Sequence, residues 1–264
     1  VDLARLDETD ETGEAGDRDQ AQIAAWLAAA LGPSVTPELT LGFSTGLIGT
    51  RLPLDKVAAG IATLAARLGA DGPALAGTAE AFRTTDSRAK MATTSVVLAG
   101  AGGAPVTVRV SGIAKGVGMI HPRMATMLSV VMTDAAVASP EVLAAILSPV
   151  AARTWNQLTV DGDTSTNDSV LLIASGAAGT APVAADGGEA FQALRRGVEA
   201  VARDLARQQA ADGEGATTLL TCQVSGALDD AEARAIARAV ISSSLVKAAF
   251  HGRDPNWGRI AGAA

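Results

Sequence analysis

Thr126 follows a small residue, Ala125, and opens a β-rich run to Thr133. A threonine hydroxyl is a poor nucleophile at neutral pH and needs a base. A threonine at a chain terminus carries its own, an α-amino group with a pKa of about 7.7–8.0. Creating that terminus requires cutting the Ala125–Thr126 bond by attack of the Thr126 hydroxyl on the Ala125 carbonyl. The preceding sequence suits such an attack: Gly116 and Gly118 let the backbone approach a ligand closely, and Pro122 pins the chain. A glycine-rich turn entering a strand accounts for the same residues, and on pattern alone that plainer reading weighs more.

Gly42-Phe-Ser44-Thr45-Gly46 matches the nucleophile elbow of serine hydrolases, and Leu39 to Ser44 reads as the strand that should precede it. The helix that must follow at once is delayed to about Leu54 by Gly46, Gly49 and Pro53. The loop can instead offer a hydroxyl and a backbone N–H to a developing negative charge. Asp161 to Asp168 has acids and amides at alternate positions, as in a calcium loop. Thr166 stands where that loop needs glycine and Leu172 where it needs glutamate, so side-chain-to-backbone hydrogen bonds are expected there instead. His121 and His251 have no metal-site spacing, and no metal is expected. Pro105 breaks the dinucleotide fingerprint in the glycines near 100–103, and no cofactor is expected. Cys222 reads as a buried thiol inside a strand, Lys115 as an ordinary solvated lysine, and Asp212-Gly-Glu214-Gly215 as a helix-ending turn.

The elements that must position these residues alternate in period. Helices are expected over Gln20 to Leu31, Leu54 to Leu68, Ala74 to Phe82, Ser139 to about Trp155, Glu189 to Gln209, and after Asp229-Asp230. Ser139-Pro140-Glu141 offers a capping hydroxyl, a first-turn proline and an acid facing the helix dipole. Strands are expected over Thr93 to Leu98, Val106 to Val110, Thr126 to Thr133, Val170 to Ala174 and Thr217 to Val224, the first two joined as a hairpin. Adjacent strands together with strands alternating with helices point to an α/β (α+β) chain, a layered sheet-and-helix sandwich. Residues 1–20 read as an acidic surface lead-in.

Composition narrows the classes. Hydrophobic residues make up 48% of 264, yet aromatics are 3% and tyrosine is absent, so small aliphatic side chains must fill the core. A formal charge of −7 with scattered cations argues against nucleic acid. One cysteine excludes an internal disulfide and suits the cytoplasm, and no apolar run has membrane-spanning length.

Taken in order, several segments resemble the ornithine acetyltransferase family, the bifunctional glutamate N-acetyltransferases of arginine biosynthesis. They are Ser44-Thr-Gly-Leu-Ile-Gly49, Thr84-Thr-Asp86, Lys115-Gly-Val-Gly-Met-Ile120, Met124-Ala-Thr-Met-Leu128, Ser165-Thr-Asn-Asp168, Asp212-Gly-Glu-Gly215, Ser244-Leu-Val-Lys247 and Asp254-Pro-Asn-Trp-Gly-Arg259. The resemblance implies a precursor that cuts itself between Ala125 and Thr126, and ping-pong transfer of acetyl from N2-acetylornithine to glutamate through acetyl-Thr126. It implies an oxyanion site from the Thr45 hydroxyl and Gly46 amide, and substrate contacts from Thr84, Lys115, Thr126 and Glu214. Which end of the substrate meets Lys115 and which meets Glu214 stays open. It further implies an α portion, residues 1–125, and a β portion, residues 126–264, paired as a heterotetramer, with acetyl-CoA a possible second donor. A hydrolase of the same fold and a non-catalytic relative that binds a small molecule are the alternatives. Arg123 stands where the family usually has asparagine, and the chain is expected to be truncated at both ends.

Overall fold

The computed structural model describes residues 14–47, 49–124 and 126–264. Residues 1–13 of the acidic lead-in expected over 1–20, Ile48 of the 44–49 motif and Ala125 lie outside the described residues, while the rest of that lead-in is helical from Glu14, with Ala15 and Asp19 buried. The chain divides into two compact units, one up to Thr78 and the other Ala79–Ala264.

In the first unit, helix α1 (Glu14–Leu31) packs against α2 (Leu54–Ala65). The buried carboxylate of Asp19 on α1 pairs with Arg51, whose Nε donates to Asp19 Oδ2 at 3.3 Å. The strand expected over 39–44 does not form. A short 3-10 turn occupies Pro37–Leu39, and the chain then runs irregularly, with Leu39 and Leu41 71% and 72% exposed. Proline favours the turn, and β propensity cannot act without a ladder partner, of which this unit has none among its described residues. With neither strand before nor helix directly after it, the Gly42–Gly46 segment lacks the frame of a nucleophile elbow.

Helix α3 (Gly72–Ala81) leads into the sheet of the second unit, with strand order β1 (Lys90–Ala99), β2 (Pro105–Lys115), β3 (Leu128–Thr133) and β4 (Ser169–Ala174). β2 pairs antiparallel with β1 on one side and with β3 on the other, whereas β3 and β4 are parallel, joined through α4 (Pro140–Arg153). Helix α5 (Glu189–Ala211) carries Phe191, Leu194, Val198, Val201 and Leu205 at helical spacing and buries that stripe across β1 and β2. α4 packs beside α5 and touches β4. The mixed α/β sandwich expected from the sequence is present.

The core is built as the composition requires. Ala92, Val108, Val110, Ala114, Val131, Val198 and Leu205 fill it around the large Trp155. Each valine or leucine among them contributes about 1.5–3 kcal/mol on burial. Three local expectations need correction. Ser139 caps no backbone amide; its hydroxyl engages the Glu141 carboxylate and holds that carboxyl below its usual range. Helix α4 ends at Arg153, followed by a separate 3-10 turn at Trp155–Gln157. Thr217 to Val224 is irregular rather than a strand, with no strand paired to it among the described residues, and Cys222 on it is half-buried. The chain closes with α6 (Asp230–Ser242), α7 (Ser244–His251) and α8 (Trp257–Ala263). Among the described residues no helix is long and apolar enough to cross a membrane.

Candidate active site

The site lies where β2 ends and β3 begins. Lys115 is the last residue of β2 and pairs with Leu128, the first of β3, so the loop between them leaves and re-enters the sheet at one point. Gly116 makes the departure possible. Its φ of +114° belongs to glycine, and a Cβ there would lie 3.0 Å from both Met127 Cα and Thr126 O.

The loop is pinned along its length by side chains from elsewhere. Asp161 accepts from Met119 N–H at 2.7 Å and Ile120 N–H at 3.1 Å, which is the hydrogen-bonding role expected of the 161–168 loop. Arg238 donates to the His121 carbonyl at 3.2 Å. The Asn156 amide takes the Met124 N–H at 3.1 Å and returns a bond to the Met124 carbonyl at 3.3 Å. His121 faces Thr159 Oγ1 at 2.9 Å. Its proton affinity is held down by burial first, then by Arg238, Arg123 and Lys247, against a smaller opposing pull from Asp161. Arg123 thus adds positive potential to this loop.

Thr126 meets the segment before β4. Its N–H donates to Ser165 Oγ and, at 3.1 Å, to Asp168 Oδ1, while its Oγ1 donates to Ser165 Oγ at 2.9 Å. The same carboxylate oxygen accepts the Met127 N–H at 2.9 Å. Lys115 is not solvated: it is 1% exposed, and its Nζ donates to the Thr126 carbonyl at 3.0 Å. A buried amide steadies it, since Gln209 donates to the Lys115 carbonyl at 2.8 Å and accepts from Trp155 Nε1 at 3.0 Å.

Thr84 and Glu214 join this neighbourhood through a buried charge cluster. Asp86 Oδ2 accepts the Thr84 N–H at 3.3 Å, and its Oδ1 accepts the Gly116 N–H at 3.0 Å. Lys90, fully buried, donates to Asp86 Oδ1 at 2.6 Å and to Asp212 Oδ2 at 2.7 Å. Asp212 ends α5 as expected of a helix-ending turn and also accepts from the Ser87 N–H at 3.0 Å. Burial acts to raise the Asp212 pKa, but hydrogen bonds from Lys90 and Ser87 outweigh it and lower the pKa to about 2. Two residues on, Glu214 N–H donates to the Val117 carbonyl at 2.8 Å, and its carboxylate lies over Gly118, 2.6 Å from where a Cβ would stand. A cavity of about 250 Å³ opens beside Glu214, lined also by Thr217, Lys247 and His251; Thr126 is not in its wall.

Four expected residues, Thr84, Lys115, Thr126 and Glu214, are therefore brought together around one loop. Thr45 and Gly46 belong to the first unit, on the irregular stretch where Gln20 Nε2 reaches Ser44 Oγ at 3.5 Å. Roles for Lys90, Asn156, Ser165, Asp168 and Gln209 were not assigned from the sequence. Asp168 was within reach, because it immediately precedes a strand, but only the β3–β4 register, Leu128 opposite Ser169, sets it beside Thr126. Among the described residues no group of three His, Cys, Asp or Glu side chains is arranged to hold a metal ion.

Comparison with known proteins gives the family. The ArgJ family pattern matches residues 10–264. The "Arginine biosynthesis bifunctional protein ArgJ" of Thermosynechococcus vestitus is 48% identical over 253 residues, covering 96% of this chain and 58% of that protein. The protein of the same name from Thermus thermophilus is 48% identical over 249 residues, covering 94% of this chain and 59% of that one. A chloroplastic counterpart from Ostreococcus lucimarinus is 47% identical, over 96% of this chain and 53% of its own length. A crystal structure of the Bacillus halodurans protein, 42% identical, aligns with a TM-score of 0.49 over 51% of this chain and 62% of that one. The chain thus spans a little over half the length of these curated relatives. On the family match and these identities, the chain belongs to the ArgJ family.

Proposed function

We propose that the protein moves an acetyl group from N2-acetylornithine to glutamate through an acetyl-Thr126 intermediate, after cutting itself between Ala125 and Thr126. The observation that carries this reading is the contact set of Thr126. Its hydroxyl and nitrogen both engage Ser165, and its carbonyl oxygen accepts from the buried Lys115. Thr126 stands two residues before β3, outside the ladder, so side chains rather than strand neighbours meet its nitrogen, its carbonyl and its hydroxyl.

In the first half-reaction the freed Thr126 amine takes the Oγ1 proton as Oγ1 bonds to the acetyl carbon. The tetrahedral oxyanion is held by the Thr45 hydroxyl and Gly46 amide, the amide C–N bond breaks, and ornithine leaves with the proton. In the second, the glutamate amine attacks acetyl-Thr126 and the Thr126 hydroxyl is restored. Thr84, Lys115 and Glu214 orient the amino-acid portion, one cation and one anion matching its two charged ends. The word "bifunctional" in the relatives' names fits a second acetyl donor, for which acetyl-CoA is the proposed compound. The two fragments stay joined because β2 and β3, on opposite sides of the cut, are paired along six residues each. They assemble as a heterotetramer in the cytoplasm.

The test is product analysis on the full-length protein with acetylornithine, with and without glutamate. Acetylglutamate formation, with an acetyl adduct on the fragment beginning at Thr126, is the expected result. Free acetate regardless of glutamate would make the protein a hydrolase. Ornithine binding without turnover would make it a non-catalytic relative.

A further inference from the structure

Of the groups around Thr126, one carboxylate has no part in the scheme above, yet it touches the nitrogen on which the scheme turns. Asp168 Oδ1 lies 3.1 Å from Thr126 N and 2.9 Å from Met127 N, on a segment fixed by the parallel pairing of β4 with β3. Ser165 stands beside it and bridges the Thr126 nitrogen and Oγ1. Its own position is fixed by the Asn167 N–H, which donates to Ser165 Oγ at 3.0 Å.

We propose that Asp168 is the positioning residue that holds the liberated Thr126 amine and raises its proton affinity, with Ser165 passing the proton between the Thr126 hydroxyl and that amine. The inference rests on the acetyl-transfer reading. It accounts for how one residue serves as both nucleophile and base, since a direct transfer from Oγ1 to the nitrogen of the same threonine is bent. Ser165 takes the Oγ1 proton and gives its own to the nitrogen, so the serine ends unchanged. During the self-cut the same path applies. Thr126 Oγ1 bonds to the Ala125 carbonyl carbon, and the C–N bond breaks. The nitrogen gains the proton against Asp168, and water then opens the ester to free the hydroxyl and the Ala125 carboxylate.

Among the described residues, charged groups come toward this nitrogen from several elements. Asp168 comes from the segment before β4, and Lys115 comes from β2 and donates to the Thr126 carbonyl. Asp86, from the segment before β1, is engaged on Gly116 N–H and Lys90, and Arg123 precedes in the same loop. The carboxylate in direct contact dominates, and an opposite charge at that range raises an amine's pKa by about one unit or more.

The experiment compares the wild-type full-length protein with D168N, D168E and S165A, reading the cut by denatured mass and kcat/KM for acetyl transfer against pH. The wild-type rate rises with pH as the amine loses its proton. Without the carboxylate the amine releases its proton more easily, so the D168N acid limb is expected about one unit lower, with D168E close to wild type. S165A is expected to lower kcat with little change in KM. A processed D168N whose acid limb stays in place overturns the inference. If D168N folds but is not cut, restoration of cutting by D168E supports it and failure of restoration overturns it. An uncut, inactive wild-type protein would instead sink the acetyl-transfer reading itself.

Discussion

Lys90 and Asp212 stand 122 positions apart in the chain and meet in a 2.7 Å ion pair, with the lysine side chain wholly removed from solvent. Through its second carboxylate, Asp86, the lysine also reaches the loop of Thr84 and the amide of Gly116. Three segments that carry the proposed substrate contacts are thereby tied to one ammonium.

Replacing that ammonium leaves two buried carboxylates facing each other. Lys90→Met is therefore expected to cost about 3–5 kcal/mol of unfolding free energy, the range for removing one partner of a buried pair. Chemical denaturation measures it, and a loss below about 1 kcal/mol would show that the cluster is wetter than its burial indicates.

The sheet was largely legible in the sequence, because Val106 to Val110 and Val170 to Ala174 carry β-branched and aliphatic residues in short runs. The failures share one cause. Leu39 to Ser44 and Thr217 to Val224 have the same local character, yet no neighbouring strand pairs with them among the described residues. Local composition reports a willingness to extend, and pairing decides. The site followed the same division. Thr126 was singled out as a candidate by the family likeness, because the pattern around Ala125 alone favoured a plain turn, whereas Ser165, Asp168, Lys90 and Gln209 enter the candidate site only through long-range register and packing. The plain alternative for Lys115, a solvated lysine, fails because a lysine at a strand end gives no sign of the carbonyl waiting for it.

Acid should find the same cluster. The folded-state pKa of Asp212, about 2, lies below its ordinary 3.8, so the carboxylate stabilises the fold above the higher value. That stability is lost as pH falls through the lower one, and the shift corresponds to about 2 kcal/mol. Between about pH 5 and pH 2 the wild type should lose more stability than Asp212→Asn by up to that amount. Parallel acid dependence of the two proteins would contradict the assignment.

Gly118 offers a way to move Glu214 without altering it. A methyl group at position 118 would stand 2.6 Å from the Glu214 carboxylate, which ends a flexible side chain and can swing aside. Gly118→Ala is therefore expected to fold and to self-cut as wild type while KM for acetylornithine rises severalfold. Unchanged steady-state kinetics would remove Glu214 from the substrate contacts.

The central claim is that Thr126 becomes a chain terminus, and the intact mass of the denatured full-length protein tests it most directly. The account predicts two species, the second beginning at Thr126, and a single uncut species for Thr126→Ala. One full-length mass in wild-type protein that transfers acetyl would contradict it.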